Sequence, residues 1–240
     1  MSVAIDVINR SSVMSDTQAA AITHALQTQV DRDFGPVWSI EAKLTFRGAG
    51  AKPDPHNWWL VFLDNSDDAT ALGYHEMTSA GLPIGKAFIK TTMVDGGIPS
   101  VCASHELLEM LADPYIDRTV MYQETNQAGR IYALEVCDAC EDDVFGYDIN
   151  GVTVSDFVHP TWFQGWRGQH SSAQFDYGKH IKAPFQLLSG GYISMMDFRG
   201  GGWQQITADT HHMAQFRAHV GQRRERRRLP RNLWRPSDPK

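Results

Sequence analysis

A chain of 240 residues with a formal charge of −6 is long enough for one large domain or two small ones, and its ordinary apolar content supplies a core. Three cysteines are too few for a disulfide scaffold, so a reducing compartment is expected. No apolar run approaches the length of a membrane span, and the start "MSVAIDVINRSS" lacks the basic and apolar regions of a secretory signal. A cytoplasmic setting is therefore expected, or a virion-associated one if the chain is phage-encoded.

The charge is uneven. From Arg217 onward there are nine Lys/Arg against two Asp/Glu, so the preceding body is strongly acidic. That argues against nucleic acid as the main ligand of the body. The basic tail, 216–240, suits an acidic partner or surface.

"VAIDVIN" (3–9) is a β-rich run. "SDTQAAAITHALQTQV" follows as a helix, with Ser15 and Gln18 spaced as a capping box and Ala19, Ile22, Leu26 and Val30 on one face. Gly35-Pro36 is expected to break it. "VWSIEAKLTF" alternates as a half-buried strand. "WWLVFLD" (58–64) is continuously apolar, as in a central strand. "ALGYHEM" reads as a short strand. "IGKAFIKTTM" (84–93) reads as another, placed at the sheet edge by its lysines. A helix over 100–112 comes next, with Pro99-Ser100 at its start and Asp113-Pro114 ending it. "TVMYQE" and "RIYALEV" pair as a hairpin, and "YDINGVTVSDF" as a second around Asn150-Gly151. Residues 160–205 are expected to wrap the core as loops and short strands. The order predicts an α+β fold: a small mixed sheet with helices packed on it. It occupies one domain over 1–215, with a core at 1–145 and a β-rich region at 146–215.

The chemistry concentrates in "ASHELLEMLADP" (103–114). Residues four apart share a helix face, so His105 and Glu109 project side by side. Glu106 lies about 100° round from His105. This is the geometry of the H-E-x-x-H helix, in which the first and last side chains hold zinc and the intervening Glu is a general base. Here Glu109 replaces the second histidine. A catalytic ion wants three protein ligands and an open position. "ALEVCDACEDD" offers Glu135 or Asp138 as the third, and the other acid would orient His105. Glu141, Asp142 and Asp143 read as an exposed loop.

"SHELLEMLADP" followed by "EVCDACE" resembles a group of zincin-like proteins of bacteria and phages, marked by an S-H-E-L-x-E-x-x-x-D-P helix and a downstream E-x-x-D element. The resemblance implies a zincin-like fold with "IGKAFIKTT" along the substrate cleft. It also implies metal binding by His105 and Glu109, with Glu106 as the base of a metallopeptidase. One histidine and two carboxylates make a harder donor set than two histidines. Zinc is the first expectation, and manganese, magnesium or calcium becomes more competitive.

Other readings of the same residues exist. Cys102, His105, Cys137 and Cys140 have the ligand types of a closed Cys₃His zinc site. Cys137 and Cys140 as a redox pair is weaker, because the surrounding acids raise thiol pKa values. His75, His159, His170, His180 and Tyr147 are ordinary hydrogen-bonding residues, any of which could serve an oxyanion. "WFQGW" suits core packing. The substrate expected of an active site is a peptide or protein. The alternative is a non-catalytic metal-binding structural or interaction protein, such as a phage virion component.

Overall fold

The structure, a computed structural model, describes residues 2–208 apart from 68–70, 127, 168–170 and 201. His170 and the basic tail lie outside the described residues. The chain opens with β1 (Val3–Asn9) and α1 (Asp16–Thr28). Ser15 and Gln18 form the expected capping box at the start of α1. A π-helical stretch, Gln29–Phe34, and a short helix α2 (Gly35–Trp38) follow.

Gly35-Pro36 therefore does not break the helix where expected. Gly35 donates to the carbonyl of Val30, five residues back. The wider π turn accommodates a proline that has no N–H to give. The helix stops instead at Ser39, in the left-handed region with φ 56°. Consequently only the second half of "VWSIEAKLTF" is a strand, β2 (Ala42–Arg47). Trp38 belongs to the helix and donates through Nε1 to the carbonyl of Val158 at 3.0 Å.

Then come β3 (Trp58–Leu63), β4 (Gly73–Met77), β5 (Pro83–Phe88), α3 (Ile89–Val94) and α4 (Pro99–Ala112). The first sheet has the order β2-β1-β3-β5-β4. β1, β2, β3 and β5 run parallel, and β4 is antiparallel to β5. β3 is internal, as its unbroken apolar run requires.

The expected edge strand is not the edge. β5 is buried along its whole length between β3 and β4, and residues 89–94 are helical. Lys86 misled because its charge is neutralised inside the fold. Its Nζ lies 2.8 Å from Glu76 Oε1 on β4 and 3.1 Å from Asp67 Oδ2. The edge strand on this side of the sheet is β4.

Alternation divides the sheet. Ile5, Val7, Leu60, Phe62 and Ala87 join the main core with residues of α1 and α4, while Ile8, Trp59, Val61 and Ile84 form a smaller cluster on the other face. Downstream, β6 (Thr119–Thr125) and β7 (Ala128–Ala133) form the expected hairpin. Two strands from later in the chain extend it. β8 (Tyr147–Ile149) and β9 (Val152–Val154) pair around Asn150 and Gly151, whose φ values are both positive (55° and 82°), as a two-residue turn of this kind requires. β10 (Tyr192–Asp197) and β11 (Trp203–Thr207) complete a second sheet, order β11-β10-β7-β6. The whole is a mixed α+β architecture. No helix among the described residues is long and apolar enough to cross a membrane. Trp162 of "WFQGW" is fully buried, as core packing predicts, while Trp166 is exposed.

Candidate metal centre

α4 carries the site because each of its faces has a different partner. Leu107, Leu108 and Leu111 enter the main core. Ser100 and Ser104, four apart, face the second hairpin. Ser100 Oγ donates to the carbonyl of Thr153 at 2.6 Å. Ser104 Oγ donates to Gln29 Oε1 at 2.7 Å and accepts from the Ser155 N–H at 3.1 Å. Asp113, directly beyond α4, is fully buried and accepts from the N–H groups of Asp117 and Arg118 through Oδ1, both at 3.0 Å. These ties set the rotation of the helix, and so the direction of His105, Glu106 and Glu109.

His105 Nε2 lies 3.4 Å from Glu109 Oε2 and 3.3 Å from Asp138 Oδ1. One ligand atom from each of the three residues lies within 4.8 Å of the other two. Asp138 begins a 3-10 turn, Asp138–Cys140, that is pressed against the chain just before β10. The carbonyl of Ala139 accepts from Leu188 N–H at 2.9 Å, and a Cβ on Gly191 would lie 2.4 Å from that carbonyl oxygen. Glycine at 191 therefore permits the approach that holds Asp138 in place.

A second group overlaps the first. His75 Nδ1, on β4, lies 3.8 Å from Glu106 Oε2 and 3.9 Å from Glu109 Oε2. These three residues also offer ligand atoms within 4.8 Å of one another. The sequence reading named His75 as an ordinary hydrogen-bonding residue and gave it no metal role. The available signal was its position in "GYHEM", a strand whose alternate residues must face the helix that follows.

The electrostatics are those of acids crowded in a dry place. Burial, the charge of Asp138 and that of Glu135 outweigh the attraction of His105 and push Glu109 up to about 8. Burial pulls the His105 imidazole down, but the charge of Glu109 and hydrogen bonds to Asp138 and Glu109 prevail, so it stays well above the ordinary value. Glu141 is driven well up by burial and by Asp138, and it is half-buried rather than part of an exposed loop. Asp142 and Asp143 are also half-buried. Asp142 caps a 3-10 turn, and Asp143 Oδ2 accepts from the Ile98 N–H at 2.7 Å, anchoring the start of α4. Tyr192 on β10, likewise missed in the sequence, is raised well above its usual value by burial and by the charges of Asp138, Glu141, Glu109 and Glu135.

Of the expected ligands, the structure brings His105, Glu109 and Asp138 together. Glu135, just past β7, is close enough to act on Glu109 by its charge, but belongs to neither triad. Among the described residues no cysteine joins such a group, so the closed Cys₃His arrangement is not assembled. Cys102 Sγ donates to the carbonyl of Leu72 at 3.1 Å, and burial followed by the charge of Glu106 pushes its thiol up to about 12. Cys137 and Cys140 are buried, and burial raises both well above the usual thiol value, the reverse of what a reactive pair needs. Tyr147 donates to Asp33 at 2.9 Å and accepts from Gln29. His159 stacks on Phe157, and His180 tilts against Phe145.

The donor set fits a divalent ion. One imidazole nitrogen and two carboxylate oxygens converge, and the buried Asp138 Oδ1 faces His105 Nε2 at 3.3 Å without a well-aligned hydrogen bond. Such an atom is costly unless a charge satisfies it. Comparison with protein-family models, with curated proteins and with solved structures gives no match.

Proposed function

We propose that the chain is a zincin-like metal-dependent hydrolase that cleaves peptide bonds, with zinc the first choice of ion. The observation that carries this reading is the convergence of His105, Glu109 and Asp138 on one point. The strand order supports it. β4 is an antiparallel edge beside α4, and the outer side of an edge strand offers main-chain groups to an extended peptide.

The ion, once bound, would polarise the scissile carbonyl and acidify a water. His105, Glu109 and Asp138 would hold it, with the charge of Glu135 close by. Glu106 is the carboxylate assigned to take the water's proton and pass it to the leaving amine.

The test is hydrolysis of a quenched-fluorescence peptide library by metal-stripped protein reloaded with zinc or manganese. Metal-dependent turnover is expected, with Glu106→Gln slower by about 10²–10⁴-fold while the ion on His105 stays bound. Wild-type activity in Glu106→Gln would overturn the mechanism. Failure of any divalent ion to bind would overturn the reading itself.

A second reading rests on burial. Glu109 and Asp138 are 5% and 3% exposed, and ions closed off by protein are usually structural. Under it the chain is a non-catalytic metal-binding interaction protein, such as a phage virion component, whose basic tail meets an acidic partner. It predicts a bound ion with no turnover of any peptide.

A further inference from the structure

We propose that β4 and α4 build a second divalent-cation position from His75, Glu106 and Glu109, with Glu109 bridging it to the position on His105 and Asp138. The inference rests on the metal-binding reading above and changes the role of Glu106 within it.

The backbone arranges this pocket. Side chains alternate along a strand, so Gly73 and His75 project from the same face of β4, towards α4. A Cβ at Gly73 would lie 2.7 Å from both Cγ and Oε1 of Glu106. The glycine therefore makes the room in which the Glu106 carboxylate sits. His75 is paired in register with Gly85 of β5, and a Cβ there would lie 3.6 Å from Glu106 Cβ. Gly73 thus lets the helix settle onto the sheet edge and brings Glu106 and Glu109 to His75, while a Cβ at Gly85 would make only ordinary contact with the helix. His75, Glu106 and Glu109 are 7%, 6% and 5% exposed.

The spacing suits an ion better than an ion pair. The His75 contacts of 3.8 and 3.9 Å are longer than hydrogen bonds. Ligand atoms bound at about 2.1 Å around one ion stand about 3.0–3.5 Å apart at octahedral or tetrahedral angles, so a small inward shift satisfies it. Glu109 Oε2 lies near both histidines, at 3.9 Å from His75 and 3.4 Å from His105. Two triads that share one carboxylate have the plan of a two-metal centre, in which the ions lie about 3.5–4 Å apart. One nitrogen and two carboxylates at each position suit manganese.

Manganese(II) added to the full-length, metal-stripped chain provides the test, read by electron paramagnetic resonance and by metal analysis after dialysis. Two ions per chain are expected, with the spectrum of a magnetically coupled pair. His75→Ala and Glu106→Gln should each hold one ion with an uncoupled six-line spectrum, with circular dichroism reporting the retained fold. One uncoupled ion per chain in wild type would overturn the second position and leave the first intact. Two ions persisting in His75→Ala would overturn the assignment of ligands. No bound ion would remove both readings. The wild-type stoichiometry decides even if a variant fails to fold.

Discussion

Ser104→Ala tests whether the side of α4 away from the site is what aims it. The hydroxyl is fully buried. It donates to Gln29 Oε1 and accepts from Ser155 N–H, joining α4 to the π-helical stretch and to the chain after β9. Alanine removes one partner from each of two buried groups. Leaving a buried donor or acceptor unsatisfied costs about 1–3 kcal/mol, so the variant should lose about 2–6 kcal/mol. That is a large share of the roughly 5–15 kcal/mol by which a protein is stable. Urea unfolding followed by circular dichroism should show a lower midpoint at an unchanged slope. Gln29 Nε2 also donates to the Ser155 carbonyl at 2.9 Å, so Gln29→Leu disturbs the same network. The two substitutions together should cost less than the sum of their separate effects, with a coupling of about 1 kcal/mol or more. A loss below about 0.5 kcal/mol, in the range of neutral surface changes, would show that the serine does not hold the helix in place.

Gly73→Ala should destabilise the fold by about 1–3 kcal/mol, since its Cβ meets Glu106 at 2.7 Å and Cys102 Sγ at 2.9 Å; thermal unfolding checks this, and an unchanged midpoint would mean that Glu106 does not rest on β4. Asp156→Asn addresses pH. Burial and then the charge of Asp176 push Asp156 up to about 8 from an ordinary 3.8, so the folded protein keeps a proton that the unfolded chain releases. The stability from that proton is complete below about pH 4 and is lost as pH rises through 8. Asparagine retains an oxygen to accept from Phe157 and Gly178 N–H without titrating. Between pH 5 and 7 the wild type should lose stability relative to the variant at up to about 1.4 kcal/mol per pH unit. Parallel denaturation profiles for the two proteins would refute the assignment.

Where the sequence was legible, one local rule was enough to decide the element. The capping box of α1, the unbroken apolar run of β3, the proline-bounded α4 and the Asn150-Gly151 turn each follow from side-chain chemistry within a few residues. The misreadings arose where a distant partner changed the meaning of a residue. Lys86 looked like a solvent-facing edge residue because Glu76 and Asp67, which bury its charge, are far enough away in sequence to be invisible as partners. Gly35-Pro36 looked like a helix end because the π turn that absorbs it has no sequence signature. The pairing of His105 with Glu109 was visible as an i, i+4 spacing. Choosing Asp138 over Glu135 required the approach of Gly191 to Ala139, a contact across more than fifty residues of chain. His75 required knowing which strand borders α4.

The cluster also breaks the rules that the rest of the fold obeys. α4 buries Glu106 and Glu109 at positions where leucine would pack without desolvating a charge, and Asp138, Glu135 and Glu141 add further acids around them. Burial of that many carboxylates opposes folding unless opposite charge is supplied. His105, held well above its ordinary pKa, supplies some. Its attraction is outweighed at Glu109, which burial and the charge of Asp138 push up to about 8, and burial together with the same acids raises Tyr192. A sequence shaped only by packing would not retain this arrangement. The converging ligand atoms and the glycines that admit Glu106 and Asp138 suit the divalent cation proposed above. Its removal should therefore be felt as lost folding stability as well as lost chemistry.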